Sequence, residues 1–305
     1  MHFTKVLYDT SDSWVILSDI EQTIKSKIEA IGTPLKKWDI QINYGIKTGY
    51  NDAFIITTEK RNEILAHCLD DAERERTAEL IRPILRGRDI KRYSYDWAEL
   101  WLIYIPWHFP LHKDPTIQGA SKKAEDTFKM QYPAVYQHLI QYKPQLSARN
   151  KAETGIRYEW YAMQRWGANY SDDFNKPKIM YPNMTLYLPF YYDNKGFLQN
   201  DKSFMITGEN IAFLTAFLNS SLFKFCFRDS FPELQGGTRE LRKIFFERIP
   251  VLQPTKEMEI LFQKLVNDIQ KSYTIDKAKH IDQLIFELYQ LTPEEKELIG
   301  YVEIK

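Results

Sequence analysis

Hydrophobic residues along this chain repeat with two different periods, one typical of helices and one typical of strands. Apolar residues spaced three or four positions apart predict helices that begin at the Ser18–Glu21 capping box and at Thr58, and further helices over Lys122–Leu146 and Asn210–Phe227. Alternating or continuously apolar segments predict strands at Trp38–Asn43, Ala53–Thr57, Trp101–Ile105, Lys178–Tyr181, Leu186–Tyr192 and Ser203–Ile206. Because the two periods alternate without a regular strand–helix–strand repeat, we expect an α+β (mixed α/β) domain with a twisted sheet.

The region after Pro254 has a purely helical pattern. Its apolar residues form two stripes at helical spacing, the first with Ile260, Leu261, Leu265 and Ile269 and the second with Ile281, Leu284, Ile285 and Leu288. Pro250 and Pro254 mark the junction, so we predict a body of residues 1–253 and a C-terminal helical hairpin of residues 254–305. The hairpin either covers the core of the body or packs against a partner, and the first interpretation is the simpler.

Charge is balanced overall but unevenly distributed. The chain has 41 Lys and Arg and 41 Asp and Glu, yet residues 73–92 hold seven basic and four acidic residues, and residues 254–305 hold seven basic and ten acidic ones. A basic surface in the middle of the chain is therefore compatible with a polyanionic ligand despite the zero net charge. Two cysteines in apolar helical patterns, no signal peptide and no membrane-length apolar run lead us to expect a cytoplasmic protein without a membrane partner.

A glycine-punctuated loop lies between the first two predicted strands and is the most informative candidate site. Gly45 and Gly49 allow the backbone to take positive φ or to approach a ligand closely. Around them the loop supplies a cation, a hydroxyl, an aromatic ring and an amide, from Lys47, Thr48, Tyr50 and Asn51. These groups suit phosphates and base edges, so the loop predicts nucleic-acid contacts. The alternative is a β-hairpin with a polar tip.

Three further segments place basic residues beside aromatic residues or glycines. The candidates are Arg82, Arg86, Arg88, Lys91 and Arg92 around Gly87; Arg149, Lys151, Arg157, Arg165 and Trp166 around the aromatic residues 158–161; and Arg239, Arg242 and Lys243 after the loop glycines Gly236 and Gly237. Guanidinium groups match phosphates and the acceptor edge of guanine, and free amides at a helix start bind phosphate. The alternatives are cations at a helix C-terminus, aromatic core residues and an ordinary helix start.

Motifs for catalysis are not found in the sequence. A methyltransferase that modifies the amine of adenine holds the flipped base with an Asn/Asp-Pro-Pro-Tyr/Phe loop, and neither that tetrapeptide nor a glycine-rich S-adenosylmethionine loop after a strand occurs. Glu125 with Lys129, and Glu240 with Lys243, have the residue types of a magnesium nuclease but the spacing of ordinary helix surface pairs. Histidine and cysteine do not cluster as zinc ligands must. We therefore predict no catalytic residue, metal or cofactor in this chain.

The order of the motifs resembles that of a known family. After the glycine loop come, in sequence, residues 79–93, 157–166, 176–182, 217–222 and 281–295. In this order they resemble the TaqI-like C-terminal specificity domain of type IIG restriction–modification enzymes and related adenine-specific DNA methyltransferases, over residues 14–303. The resemblance implies a target recognition domain for double-stranded DNA in phage defence. It also implies N-terminal methyltransferase or nuclease domains that use S-adenosylmethionine, and Mg²⁺ if a nuclease is present. A catalytic domain with an unorthodox site and a helical assembly domain are the alternatives.

Overall fold

The computed structural model describes residues 18–301, in which helices and strands are mixed up to Leu252 and are followed by three helices. The α-helices are α1 (Asp19–Ile31), α2 (Asn51–Phe54), α3 (Thr58–Ala66), α4 (Asp71–Leu80), α5 (Lys122–Gln131), α6 (Pro133–Ile140), α7 (Lys143–Ala148), α8 (Ile211–Asn219), α9 (Ser221–Phe227), α10 (Lys243–Phe246), α11 (Lys256–Lys271), α12 (Ile275–Leu288) and α13 (Pro293–Ile299). The strands are β1 (Gly32–Pro34), β2 (Ile40–Tyr44), β3 (Ile55–Thr57), β4 (Ile81–Leu85), β5 (Ile90–Lys91), β6 (Ser94–Tyr95), β7 (Leu100–Ile103), β8 (Lys178–Pro182), β9 (Met184–Thr185), β10 (Tyr191–Asp193), β11 (Leu198–Gln199), β12 (Ser203–Gly208), β13 (Arg239–Glu240) and β14 (Pro250–Leu252). The predicted α+β class is confirmed.

An antiparallel sheet with the order β10-β8-β12-β2 forms the centre of the body. Helix α8 packs on it and is buried at every residue, because its sequence is apolar around nearly the whole circumference. Ile42 and Ile206 of the sheet meet Leu214 and Leu218 of α8 in the first hydrophobic core.

A second sheet has the order β11-β4-β7-β3, in which β11 is parallel to β4 and the other pairs are antiparallel. It lies beside a second core that contains Phe54, Phe128 and Tyr161. The short connection from β11 to β12 therefore links the two sheets, and this link positions the candidate site described below.

The two strands beside the glycine loop do not pair with each other, so the hairpin alternative is wrong. Strand β2 pairs with β12, whereas β3 pairs with β7 in the other sheet. The second strand is also shorter than predicted, because residues 51–54 form helix α2. Alternation of apolar residues indicates a strand but carries no information about a partner that is distant in sequence.

Other predicted elements are broken where a backbone angle interrupts them. The helix predicted over Asn210–Phe227 is α8 followed by α9, because Ser220 is extended (φ −74°, ψ 157°) and its hydroxyl accepts from the amide of Phe223. The strand predicted over Leu186–Tyr192 is present only at its end, where β10 begins at Tyr191; residues 186–190 are not in a strand, and Leu188 has φ 47°. Within residues 18–301 no single helix could span a membrane; Ile211–Asn219 and Ser221–Ser230 pass that test only as a pair bent by 69°.

The C-terminal helices pack onto the body through apolar residues and two carboxylates. Val266 and Ile285 belong to the first core. Glu259 of α11 accepts hydrogen bonds from the amides of Ala212 (3.0 Å) and Phe213 (2.9 Å) at the start of α8. Asp282 of α12 accepts from the amide (2.9 Å) and hydroxyl (2.6 Å) of Ser221 at the start of α9. Each carboxylate satisfies helix amides that have no partner in their own helix. The division at residue 253 stays a prediction.

Candidate DNA interface

The loop that carries Lys47 is fixed on one side to the connection between β11 and β12. The amide of Ile46 donates to the carbonyl oxygen of Gln199 at 2.8 Å. Gly45 lies so close to this connection that a Cβ atom would overlap the carbonyl oxygen of Asn200. Glycine is therefore needed at position 45 for close backbone approach rather than for a positive φ.

On its other side, the loop pairs with the segment that contains Arg165. The amide of Lys47 donates to the carbonyl oxygen of Arg165 at 3.0 Å, and the reverse bond measures 2.9 Å. Residues that face each other in an antiparallel pair project their side chains to the same side. Both cations are accessible to solvent, and neither forms a salt bridge within the described part of the chain. Two like charges in this arrangement repel, so an anion bound between them would stabilise the pair.

The other predicted groups of this loop differ in accessibility. Thr48 is 3% exposed, and its hydroxyl donates to Oδ1 of Asn51 at 2.6 Å. Thr48 therefore shapes the loop from inside, which corrects its prediction as a direct DNA contact. Asn51 is exposed at the first position of α2, and Tyr50 is half-buried with its ring 6.1 Å from that of Tyr142. Asn51 and Tyr50 thus remain candidates for base contacts.

Arg149 supports the loop from within the fold. Its guanidinium donates to the carbonyl oxygens of Thr48, Trp160 (2.9 Å) and Ala162, and burial lowers its pKa to about 10. Gly49 (φ 81°) borders this group, since a Cβ atom there would lie 2.9 Å from Cδ of Arg149. The prediction that Arg149 binds DNA is corrected, because its donors are used to join the loop to residues 160–162.

The aromatic segment between these arginines belongs to the core. Residues 160 and 161 are 7% and 0% exposed, so the core interpretation of both rings is confirmed. Arg157 is exposed but lies 3.0 Å from the carboxylate of Glu153. Lys151 is exposed, and Trp166 is half-buried with its carbonyl oxygen bonded by the hydroxyl of Tyr104 at 2.9 Å.

The basic cluster around Gly87 follows a strand and not a helix end. Helix α4 ends at Leu80 and β4 follows directly, so the alternative of cations at a helix C-terminus is wrong. Arg82 lies on β4, and its Nη2 donates to the carbonyl oxygen of Gly196 at 3.0 Å. Arg86 forms a bidentate pair with Asp89 at 2.9 and 2.8 Å. Both guanidinium groups are therefore engaged inside the body.

Arg92 points away from the surface that its sequence neighbours form. It is 7% exposed, and its Nε and Nη2 donate to the carbonyl oxygen of Asn219 at 3.2 and 2.8 Å. A third bond, from Nη1, reaches the hydroxyl of Tyr273 at 3.2 Å. Arg92 thus ties the turn to α8 and to the C-terminal helices, which corrects its prediction as a DNA contact.

Arg88 and Lys91 are exposed at the rim of a cleft with a volume of about 340 Å³. Its opposite wall is the segment 182–189, and Lys202 in the β11–β12 connection adds a third accessible cation. Lys202 reaches this position because Gly87 packs directly against its carbonyl oxygen. Lys202 is not among the residues predicted from the sequence, because only a tertiary contact brings it beside Arg88 and Lys91, more than one hundred positions away.

The glycines 236 and 237 lie in a single 3₁₀ turn and do not open an α-helix, so the predicted phosphate site on the amides of a helix start is wrong. They have φ of 75° and 77° and lead into β13, which pairs with β9 beside the cleft. Arg239 is 8% exposed and bonds Asp229 (2.8 Å) and Glu233 (2.9 Å), so it holds this β9–β13 ribbon instead of facing a ligand. Arg242 and Lys243 are more accessible, and their nearest carboxylate partners are Glu240 (2.8 Å) and Glu247 (3.7 Å), respectively.

The acidic residues with nuclease-like spacing have partners inside the fold. Glu125 accepts hydrogen bonds from the hydroxyl of Tyr136 (3.0 Å) and from Nε1 of Trp160 (2.7 Å). Among residues 18–301, no group of three or more His, Cys, Asp or Glu side chains is arranged to hold a metal ion.

Residues 82–251 match the model of the TaqI-like C-terminal specificity domain. The chain belongs to this family. The match includes the basic turn, the cleft and the β9–β13 ribbon of this specificity domain, whereas the Lys47 loop precedes it. A curated relative, the type II methyltransferase M.MjaIV of Methanocaldococcus jannaschii, is 23% identical over 90% of this chain and 86% of its own length.

Two solved structures align with this specificity domain. The type IIL restriction–modification enzyme MmeI, in complex with DNA, aligns with a TM-score of 0.50 at 12% identity over 85% of this chain. The type IIG restriction endonuclease BpuSI aligns with a TM-score of 0.49 at 13% identity over 91%. In both cases the chain spans 34% of the length of the larger protein.

Proposed function

We propose that the chain is the sequence-specific DNA recognition module of a type IIG restriction–modification enzyme or a related adenine DNA methyltransferase. Membership of the specificity-domain family supports this function. At the level of residues, the observation that carries the proposal is the unneutralised cation pair of Lys47 and Arg165, placed next to the β11–β12 connection that also presents Lys202. Two accessible cations held side by side are unfavourable in a free protein and favourable beside a phosphate.

The two kinds of contact have different tasks in this proposal. Lys47, Arg165, Arg88 and Lys202 bind phosphates and set the register of the module on the duplex, without reading sequence. Asn51 reads a base edge, since its exposed amide can bond adenine in a bidentate manner. The loop is suited to this because backbone bonds on both sides hold it in place before DNA arrives.

Catalysis belongs to other domains of the parent enzyme in this proposal. Those domains supply methylation with S-adenosylmethionine and, where cleavage occurs, a nuclease with Mg²⁺. The name of the curated relative, a type II methyltransferase, supports a methylating parent. Incubation of this chain alone with DNA, labelled S-adenosylmethionine and Mg²⁺ should give neither label transfer nor cleavage. Transfer or cleavage abolished by a substitution in this chain would favour the alternative of an unorthodox active site.

The decisive experiment measures binding to fluorescent duplex DNA as a function of salt concentration. The double variant Lys47→Gln/Arg165→Gln should weaken binding to all duplexes and reduce the slope of log K against log salt by about 0.9 per lost phosphate contact. Lys256→Gln/Lys264→Gln, which changes two exposed lysines on α11 far along the chain from these loops, is the charge-matched control and should leave the slope unchanged. An unchanged slope in the double variant would remove these two residues from the interface.

A further inference from the structure

The cleft beside the basic turn has an unusual chemical lining. Twelve residues line it; four are basic and none is acidic, although the chain as a whole has zero net charge. Arg92 is turned inward, which leaves Arg88, Lys202 and Lys91 at the rim. Nζ of Lys91 lies 3.7 Å from the exposed carboxylate of Asp96 and donates to the carbonyl oxygen of Arg88 at 3.1 Å. The remaining lining is largely apolar and includes two large exposed side chains, Met184 (52%) and Tyr187 (53%). The cleft therefore combines an anion-binding rim with an apolar wall.

Several contacts fix the walls of the cleft independently of a ligand. Strand β9 pairs with β13, which Arg239 anchors from behind. The amide of Tyr187 donates to the hydroxyl of Thr185 at 3.0 Å and thereby holds the chain where the tyrosine projects. On the opposite wall, Gly87 packs against the carbonyl oxygen of Lys202. The aromatic ring and the cations are thus presented by fixed segments of backbone.

The size of the cleft restricts which part of a DNA molecule can enter. Its volume of about 340 Å³ lies at the lower end of small-molecule pockets, which measure roughly 300–1,000 Å³. A B-form duplex, whose major groove alone is about 12 Å wide, cannot enter it. A single nucleotide fits in both volume and chemistry, because it joins a phosphate to a flat, largely apolar base. Aromatic walls with a cationic rim are the arrangement by which proteins hold unstacked nucleotides.

We propose that this cleft binds one nucleotide that has left the stack of the DNA duplex. Its phosphate contacts Arg88, Lys91 and Lys202, and its base packs against Tyr187 and Met184. This inference rests on the proposed function as far as DNA is the source of the nucleotide. A free mononucleotide has the same chemistry, and the experiment below separates the two sources.

The experiment compares fully paired DNA with the same duplex carrying one unpaired, bulged nucleotide labelled with a fluorescent adenine analogue. The full chain should bind the bulged duplex more tightly and quench the analogue by stacking. Tyr187→Ala should weaken binding of the bulged duplex about tenfold and remove the quenching, with a smaller effect on the paired duplex. Tyr187→Phe should retain both signals, because the ring is kept.

Two controls separate stacking from local damage and from general charge effects. Leu186→Ala changes the exposed neighbour of Tyr187 that does not line the cleft, and it should behave like the unmodified chain. Arg88→Gln/Lys202→Gln should weaken binding of the bulged duplex more than Lys256→Gln/Lys264→Gln does, although both variants lose two positive charges. Equal losses on paired and bulged DNA in Tyr187→Ala would overturn the inference while leaving the proposed function intact.

Free nucleotide is the remaining arm of the experiment. A deoxynucleoside monophosphate should not displace the bulged duplex at equal concentration. If it does, and Tyr187→Ala abolishes the effect, the cleft takes a free nucleotide and the DNA source is wrong. If no duplex binds at all, the proposed function fails. Monophosphate binding by the unmodified chain that Tyr187→Ala abolishes would then still support a nucleotide site in the cleft. If the unmodified chain does not bind the monophosphate either, the nucleotide site is wrong as well.

Discussion

The Lys47 loop and the β9–β13 ribbon present candidate DNA contacts in different ways. The loop has backbone hydrogen bonds on both sides and a buried guanidinium, that of Arg149, behind it. The ribbon has only two paired residues per strand, and Arg239 holds it through carboxylates that are themselves largely exposed. Removing a buried guanidinium that donates to carbonyl oxygens lowers stability strongly, because those oxygens lose their hydrogen bonds inside the fold. When a guanidinium paired with exposed carboxylates is removed, water hydrates the carboxylates and the loss is smaller. We therefore expect the loop to be held more firmly than the ribbon, although both are ordered before DNA binds.

The largest expected effect is the difference in the free energy of unfolding between the alanine variants of Arg149 and Arg239. Arg149→Ala removes a donor from three carbonyl oxygens, of which that of Thr48 keeps the amide of Gln164 (3.2 Å), so we expect a loss of about 3 kcal/mol in the free energy of unfolding. Arg239→Ala should cost about 1 kcal/mol, because Asp229 and Glu233 remain hydrated and only one bond to a buried carbonyl oxygen, that of Phe231 at 3.3 Å, is lost. Urea unfolding of both variants measures the difference. Equal costs would show that the ribbon is braced as firmly as the loop.

Substitutions of glycine by valine compare how tightly the backbone is packed in the loop and in the turn before β13. Gly45→Val forces a side chain into the carbonyl oxygen of Asn200 and should cost about 3 kcal/mol. Gly236→Val meets open space and only a strained φ of 75°, for which about 1 kcal/mol is expected. Gly49→Val, with φ 81° and Arg149 beside it, should fall between them in thermal stability. A larger cost at Gly236 than at Gly45 would contradict the assignment of the loop as the tightly packed region.

A third comparison separates base reading from positioning. Asn51→Ala on the loop should cost about 1–3 kcal/mol at a preferred site and little on random DNA. Arg242→Gln beside the ribbon should weaken both duplexes alike, because a phosphate contact carries no sequence information. Paired titrations of the chain measure this, with selection from a randomised duplex pool supplying the preferred site. Equal losses of affinity for the preferred and the random duplex in Asn51→Ala would show that the loop contacts phosphates and does not read bases.

The smallest expected effect is a pH dependence on the loop side. His138 is buried under α2, where burial lowers its pKa below the usual 6.5 even though its bond to the carbonyl oxygen of Ala53 (3.0 Å) acts in the opposite direction. The unfolded chain therefore binds a proton more readily, so this contribution to stability is complete above pH 6.5 and declines as the pH falls through that value. His138→Gln should flatten the decline between pH 7 and 5. Burial also lowers the pKa of His112. The contribution of His138 is therefore the difference in the pH dependence of unfolding free energy between the unmodified chain and His138→Gln.

Local patterns in the sequence identified the elements better than their partners. The Ser18–Glu21 capping box, the C-terminal helices and β8 agree with prediction, since each depends on neighbouring residues alone. The pairing of β2 with β12 depends on residues far apart in the chain, and no local spacing encodes it.

The same limit applies to the site. Arginine in the sequence indicates a possible phosphate ligand. The sequence does not show which guanidinium groups donate to carbonyl oxygens inside the fold. Arg92 and Arg88 are four positions apart, yet one is a buried brace and the other lies at the rim of the cleft. Lys202 was missed for the same reason, because the contact with Gly87 that places it is tertiary.

The two carboxylate caps supplied by the C-terminal helices restrict how specificity can be exchanged between enzymes. Glu259 and Asp282 complete the first turns of α8 and α9, two helices that belong to the centre of the body. A recombinant that joins a foreign tail after residue 253 would leave these amides unsatisfied unless the new tail places carboxylates at the same points. We therefore expect that functional chimaeras, whether engineered or produced by gene transfer, inherit α8, α9, α11 and α12 from a single parent.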